Sequence, residues 1–523
     1  MSTIETNGWD TIYVVPFSII NTSIVNKSSS PTTFSQQEES DDGTITFAGT
    51  FDHWRLATGG DGQLVMMVLP IPNANYDVGA IHRTYTNGQA QIQLNLVWVN
   101  DPENPDYQTL VINNDSNTVN VIDITFNESI PMSEKGTMIQ MLHTWLAENV
   151  ADFQFIFSTV NLNDSADIES FSWLMPYKIA FAVKDAEPAD TSTSVFGVLC
   201  TTENRPIPGE AQVPANALSS GANSTFLISP QRVIDKMFFP NIHTIFKDPD
   251  SNNFELGNTG LYIQNKTALN FEPQTLDDGT VINLSIDPLN FRLEIQDSRI
   301  TMSFHKISFA YSSSLTVDFN HTSEALFNIK DGIFYLTVTG STTDISVEKS
   351  KAGEVKEIIT QLVAAIIAAI IGAAIGAAFA EGTAAVTARA TTAVVDEGTV
   401  NGIEMTVKSS SSIRTAPMTN LSITAAENIA TNAPRRFSTF FGQPWLKVFG
   451  TIGGFVIGEV GADSIIKVID NWAKDDVPSM DNFGSNAIQS IQWPGTTNEK
   501  FQIVDGTLNG ALQIGINLNT SGA

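Results

Sequence analysis

Few side chains in this chain are spaced for chemistry. Six histidines, His53, His82, His143, His243, His305 and His321, are scattered, and none stands in a His-Glu-x-x-His zinc pattern. The single cysteine, Cys200, permits neither a Cys-x-x-Cys metal pair nor an internal disulfide, and by type it reads as a small buried apolar residue. No Gly-x-Ser-x-Gly elbow, P-loop or dinucleotide fingerprint occurs. Asp248-Pro249-Asp250-Ser251-Asn252 echoes a calcium loop, but Asn253 replaces the turn glycine and Thr259 stands where the bidentate glutamate belongs, so a solvated loop is expected. Gly59-Gly60-Asp61-Gly62 could cradle a phosphate; no Lys-Ser/Thr follows it, and a tight hairpin turn accounts for the glycines. The expectation is a non-enzymatic protein with no metal and no organic cofactor.

What the chain has instead is apolar surface in regular patterns. Ile358–Ala380 carries no charge and is long enough to cross a bilayer as a helix. One side is bulky, with Ile359, Val363, Ile366 and Ile370; the opposite side, with Gly372 and Gly376, is nearly bare backbone. In Trp445–Val460 the glycines Gly450, Gly454 and Gly458 recur every four residues. Small-residue seams let two helices approach closely, so the two segments are expected to pair as an antiparallel hairpin. Two readings stay open: a hairpin buried on the protein, or one that inserts into a membrane. Just before the second segment, Arg435, Arg436, Phe437 and Trp445 combine cations with aromatics, which suits a membrane headgroup layer or an acidic partner as well as an ordinary helix entry.

The 523 residues carry 27 basic and 56 acidic side chains, a net charge of −29. Such a field repels phosphate backbones, so nucleic acid is not an expected partner; a basic protein or a neutral hydrophobic ligand is. The N-terminus lacks the basic start and apolar core of a secretory signal, which predicts synthesis in the cytoplasm and release by another route.

The elements that would position these features are mostly strands. Ile92, Leu94, Leu96 and Trp98 alternate with polar residues over Gln91–Val99, as do Ile122, Ile124 and Phe126, and Phe153, Phe155 and Phe157. Between the last two sets, Met138, Met141, Leu142, Trp145 and Leu146 fall at helical spacing over Ser133–Val150. Arg205–Ser224, without period and rich in proline and serine, reads as a linker. Ser229-Pro230 then opens a second helix with Val233, Met237 and Phe238 on its apolar face, ended by Pro240. Alternating strands return over Ile282–Val338 and again over Phe501–Leu518. The predicted plan is two modules, 1–204 and 225–523, the second interrupted by the helical hairpin at about 350–475. Each module combines an antiparallel sheet, apolar on one face, with one amphipathic helix. A sheet curled about such a helix leaves a hydrophobic groove where the helix only partly fills it, with Met138, Met141, Leu142, Trp145, Leu146, Val233, Met237 and Phe238 as the candidate lining. The same stripes also read as ordinary filled cores, and both readings stay open.

Gly8-Trp9-Asp10, the block Gly49-Thr50-Phe51-Asp52-His53-Trp54-Arg55-Leu56 with Gly59-Gly60-Asp61-Gly62-Gln63-Leu64 and Pro70-Ile71, and Phe226-Leu227-Ile228-Ser229 resemble the clostridial P-forty-seven family, whose relatives include OrfX proteins. The resemblance runs over nearly the whole chain and is most specific in the Gly49–Leu64 block. It implies a β-rich α+β fold of two TULIP-like (tubular lipid-binding) modules, each a curved antiparallel sheet wrapped around an amphipathic helix. It also implies an accessory role in a bacterial toxin system, neurotoxin-like or insecticidal, with lipid and other toxin-complex proteins as the expected partners. A membrane-inserting component using the hairpin and a scaffold docking a sister subunit are the competing expectations.

Overall fold

The computed structural model describes residues 3–346, apart from 42, 103, 116–118, 163–171, 241, 248–249, 271–273, 276–280, 313–314 and 331–332, and then 403–408 and 488–520. The hairpin seam glycines Gly372, Gly376, Gly450, Gly454 and Gly458, and Arg435, Arg436, Phe437 and Trp445, lie outside the described residues. The chain forms two units. One holds Ser2–Leu227, Phe483–Val504 and Gln513–Ala523; the other holds Ile228–Asn482 and Asp505–Leu512.

In the N-terminal unit, antiparallel strands follow one another in the order Thr33–Ser40, Gly43–Thr50, Leu64–Val78, Ile81–Leu94 and Val119–Thr125. Flat, five strands at about 4.8 Å would hold the outer two roughly 19 Å apart. A helix lying over the central strands, as Met132–Asn149 does where Leu146 lines a cavity with Met67 and Ile92 and Glu134 meets Tyr85, would then stand farther from the outer pair than from the middle. Yet the Met132–Asn149 helix packs against both outer strands, Thr33–Ser40 and Val119–Thr125. The run therefore curls about the helix. A second run, Arg55–Gly62, Lys178–Lys184, Val195–Thr201 and Thr11–Pro16, continues from the first half of Leu64–Val78. Leu96–Asn100, Tyr107–Ile112, Ile156–Asn161 and Ile491–Gln492 make a separate four-stranded sheet.

Two expectations are corrected here. The alternation over Gln91–Val99 is two strands, because the chain leaves one sheet at Leu94 and enters the other at Leu96. Ile122 does not share a face with Ile124: register passes from Gln91↔Asp123 to Ile92↔Val121, so Ile122 is the extra residue of a bulge and is 45% exposed, while Val121 takes the buried place. Arg205–Ser224, expected as a linker, carries no strand or helix before Ser224 and is packed down. Val213 and Ala217 are buried, Gln513 donates to the carbonyls of Asn216 and Ala217, and Asn223 donates its N–H to the Asn517 side chain and exchanges hydrogen bonds with Leu518. The C-terminal strand Ala511–Thr520 thus returns from residue 513 onward to the N-terminal unit, because Ser224–Ile228 needs a ladder partner on its open side.

The C-terminal unit is an antiparallel meander of Phe254–Leu256, Tyr262–Asn265, Phe291–Gln296, Arg299–Ser312, Leu315–Lys330 and Ile333–Ser346. The predicted alternation holds: Phe291, Leu293, Ile295, Ile300, Met302, Phe304, Val317 and Phe319 are all buried. Ile403–Lys408 adds to Ile333–Ser346 in parallel. The helix expected after Ser229 is present. Ser229 caps it by accepting from the Arg232 N–H, and Pro230 occupies its first position. It is short, a turn over Pro230–Arg232 continued as a π-helix over Val233–Phe238, nine residues of which Arg232, Val233, Ile234, Met237 and Phe238 are buried.

His321 sits in this meander, 1% exposed and against the Phe304 ring. Burial pushes its imidazole down to about 3, so it stays neutral where the unfolded chain, near its ordinary 6.5, takes up a proton. The unfolded state then binds the extra proton between pH 6.5 and about 3. Stability is expected to be unaffected above pH 6.5 and to fall below it by up to about 1.4 kcal/mol per unit. His321→Phe should flatten that slope, read as thermal midpoints across pH 7 to 5.

Candidate functional site

The interior that the curled run encloses is aromatic. Phe34 stacks on Phe51 at 4.6 Å between centroids, and Trp145 of the helix meets Phe51 at 5.3 Å. Trp54 meets Phe155 at 5.7 Å and Phe157 at 5.8 Å, and Phe153 bridges back to Trp145 at 6.4 Å. The Gly49–Leu64 block thereby has a physical reading. A Cβ on Gly49 would sit 2.5 Å from the Asn73 carbonyl and 2.7 Å from the Phe34 ring, so glycine lets that ring lie flat on the strand. Phe51 and Trp54 are the expected anchors, 7% and 2% exposed.

The glycine cluster makes a hairpin, in a tighter form than expected. Asp61 pairs with Leu64, leaving Gly62-Gln63 as the two-residue turn, while Gly59 and Gly60 fall in an irregularity between Ala57 and Asp61. The Gly59 N–H donates to the Asp185 carboxylate at 2.6 Å, an acceptor supplied by the protein itself. Gly8-Trp9-Asp10 likewise ties the N-terminus down. Asp10, buried, accepts from the Thr202 N–H at 2.8 Å and pairs with Arg205 at 3.0 Å, and the Trp9 indole donates to the Glu210 carbonyl. Periodicity could not have found these partners, which stand about two hundred residues away.

All eight candidate groove residues are buried, none more than 9% exposed. Met138, Met141, Leu142, Trp145 and Leu146 face the inside of the curl, and Val233, Met237 and Phe238 belong to the core of the other unit. A cavity of about 20 Å³ remains near the C-terminal end of the long helix, lined by Trp54, Met67, Leu69, Ile92, Leu146 and Phe153 among others. It holds a single methyl-sized group or water.

The rim of the curl is polar. Gln140 of the helix reaches Glu38 on one outer strand, and Lys135 pairs with Asp123 on the other. Between them Arg83 pairs with Glu134 at 2.8 Å, and the Tyr85 hydroxyl donates to the same carboxylate. Burial first, then this carboxylate, pushes the Tyr85 phenol up to about 12, so it remains a donor. Burial likewise pushes the Cys200 thiol up to about 12, where it is no nucleophile at neutral pH. At the C-terminal unit's loop, Asp250 is occupied in capping a short turn, its carboxylate accepting from the Asn252 N–H. Among the described residues no cluster of three metal-ligating side chains occurs, and no helix is long and apolar enough to cross a membrane.

A family model described as OrfX-like, Protein OrfX2/OrfX3/P47, matches residues 6–427. The chain belongs to the OrfX-like family. Protein OrfX3 of Paraclostridium bifermentans is 29% identical over 293 residues, 49% of this chain and 59% of that protein. Protein P47 of Clostridium botulinum (strain Kyoto / Type A2) is 22% identical over 245 residues, 46% of this chain and 55% of that protein. The chain thus spans less than two thirds of these curated relatives. The crystal structure of P47 of Clostridium botulinum E1 shares the fold with a TM-score of 0.54 at 14% identity, over 99% of this chain and 100% of that one. In this OrfX-like chain the family-like motifs are packing devices: they build the aromatic interior and fasten the N-terminus.

Proposed function

We propose that this protein is a non-enzymatic accessory factor of a bacterial toxin system that holds a lipid or other hydrophobic ligand in the curl of its N-terminal unit, as a TULIP-like module does. The observation that carries this is the five-strand run bent round one methionine- and tryptophan-rich helix, with aromatic side chains inside. Methionine and aromatic faces adapt to irregular guests. The cavity of about 20 Å³ beside the helix takes no acyl chain, so a guest at that place must displace part of the helix. Burying a dozen methylenes gains about 10 kcal/mol, whereas lifting five large side chains off the sheet costs about 8–15 kcal/mol. The near balance favours a helix that slides and keeps some of its contacts. Its rim pairs, exposed and worth about 1 kcal/mol or less each, do not prevent that.

The test is native mass spectrometry of gently purified protein, beside Val150→Ile, a cavity-lining residue given one more methylene. Copurifying lipid in the parent, reduced in the variant, is the expected result, and the variant should gain about 0.8 kcal/mol of stability. Absence of any guest, together with a normal fold, removes the ligand reading. The close packing of the described interior side chains favours a second reading, a scaffold that docks a sister protein of the toxin assembly through its surface. The membrane-inserting alternative rests on Ile358–Ala380 and Trp445–Val460 and is tested by liposome leakage.

A further inference from the structure

The four-stranded sheet of the N-terminal unit ends in Leu96–Asn100, which among the described residues pairs with Tyr107–Ile112 alone. Its register fixes which backbone groups face outward. The Asn113 N–H donates to the Asn95 carbonyl and the Asp101 N–H to the Tyr107 carbonyl, both in register with Val97↔Val111 and Val99↔Thr109. Hydrogen-bonded positions alternate in an antiparallel ladder, so Val97 and Val99 direct their amides to the neighbouring strand. Leu96, Trp98 and Asn100 direct theirs to the open side.

The side chains add a second feature. Leu96, Leu110 and Ile112 are buried on the inner face. On the outer face Val97, Val111 and Ile156 lie in one cross-strand row, with Val97 36% and Ile156 41% exposed, and Val99 beside them at 39%. This is an edge with a β-branched apolar face, the kind that proteins usually protect with lysine, proline or a covering element. Here no Lys, Arg or His occurs anywhere in residues 84–134. The strand's far end runs into Asp101 and Asp106, and its near end lies by the Asn113–Asp115 turn, so both ends are acidic.

We infer that this edge is a docking site for an extended segment of a basic protein partner, added as a fifth strand, with β-branched residues over Val97 and Val99 and Lys or Arg at both ends. Main-chain hydrogen bonds supply the affinity, and the side-chain row and the flanking charges supply the choice of partner. A second copy of this chain would bring the same acidic ends and a net charge of −29 to the edge, which disfavours self-pairing. The inference is independent of whether a hydrophobic guest enters the curl.

The probe is a fluorescent peptide Lys-Lys-Thr-Val-Thr-Val-Thr-Lys-Lys, titrated by anisotropy with the full chain. Binding that weakens with salt is expected, and it should weaken at least about tenfold in Val97→Lys/Val99→Lys, a drop of about 1.4 kcal/mol. Those positions are exposed, so the thermal midpoint should not move. Asp106→Asn/Asp115→Asn should weaken binding and reduce its salt dependence without touching the edge. A control peptide with proline at its centre should not bind. Equal binding by the Val97→Lys/Val99→Lys variant, or by the proline peptide, overturns the site. Concentration-dependent sedimentation of the chain alone, abolished in the same variant, assigns the edge to a second copy and overturns the basic partner.

Discussion

Trp54→Ala is expected to destabilise the N-terminal unit by about 3–5 kcal/mol, the usual cost of emptying a large aromatic site in a core. The indole is 2% exposed and touches three phenylalanine rings, Phe153, Phe155 and Phe157, which lie in one short stretch after the long helix. It also borders the existing 20 Å³ cavity, so the new space joins an old one and relaxation has less to close it with. A loss of that size is a large share of a folding free energy of about 5–15 kcal/mol. Urea unfolding followed by circular dichroism should show the lost transition midpoint. Trp54→Phe, keeping a ring, should recover more than half of it. An Ala variant within about 1 kcal/mol of the parent would mean that the aromatic interior is not the hub described.

Asp10→Ala should cost about 2–4 kcal/mol, by a different mechanism. Its carboxylate accepts from the N–H and hydroxyl of Thr202, a residue with no exposure, and pairs with Arg205. Removing it strands a buried amide, and that loss is the larger part. Arg205 is 43% exposed and regains water, so its contribution is discounted. Asp10→Asn keeps an acceptor for Thr202 and should lose only about 1 kcal/mol. The ordering Ala worse than Asn, with Arg205→Ala mildest, separates buried hydrogen bonding from charge pairing. Equal losses for Ala and Asn would place the stabilisation in the charge instead.

Both residues stand in motifs plain in the sequence, and their roles were legible to different degrees. Trp54 and Phe51 read as anchors because large aromatics between two strands have nowhere else to go. Met138 through Leu146 read as one stripe because helical spacing is local. Asp10 was invisible as a partner of Thr202, since a contact 192 positions away leaves no period. The bulge at Ile122 was hidden for a related reason: one extra residue changes which side chain is buried only once the opposing strand is known. The same holds for Phe501–Leu518, whose alternation was evident while the destination of its last residues was set by the open ladder beside Ser224–Ile228. Gly59-Gly62 was read as a turn, but the division into an irregularity and a two-residue loop depends on pairing with Leu64.

The helix that fills the gap between Thr33–Ser40 and Val119–Thr125 has one more implication. Among the described residues those two strands are stitched to the sheet on one flank only, and what faces each of them across the gap is side-chain packing, with no ladder to break. The enclosure can accordingly change girth without rupturing a single rung. Amide exchange with deuterium should therefore begin along these two margins, well ahead of Leu64–Val78 and Ile81–Leu94, which are laced on both sides.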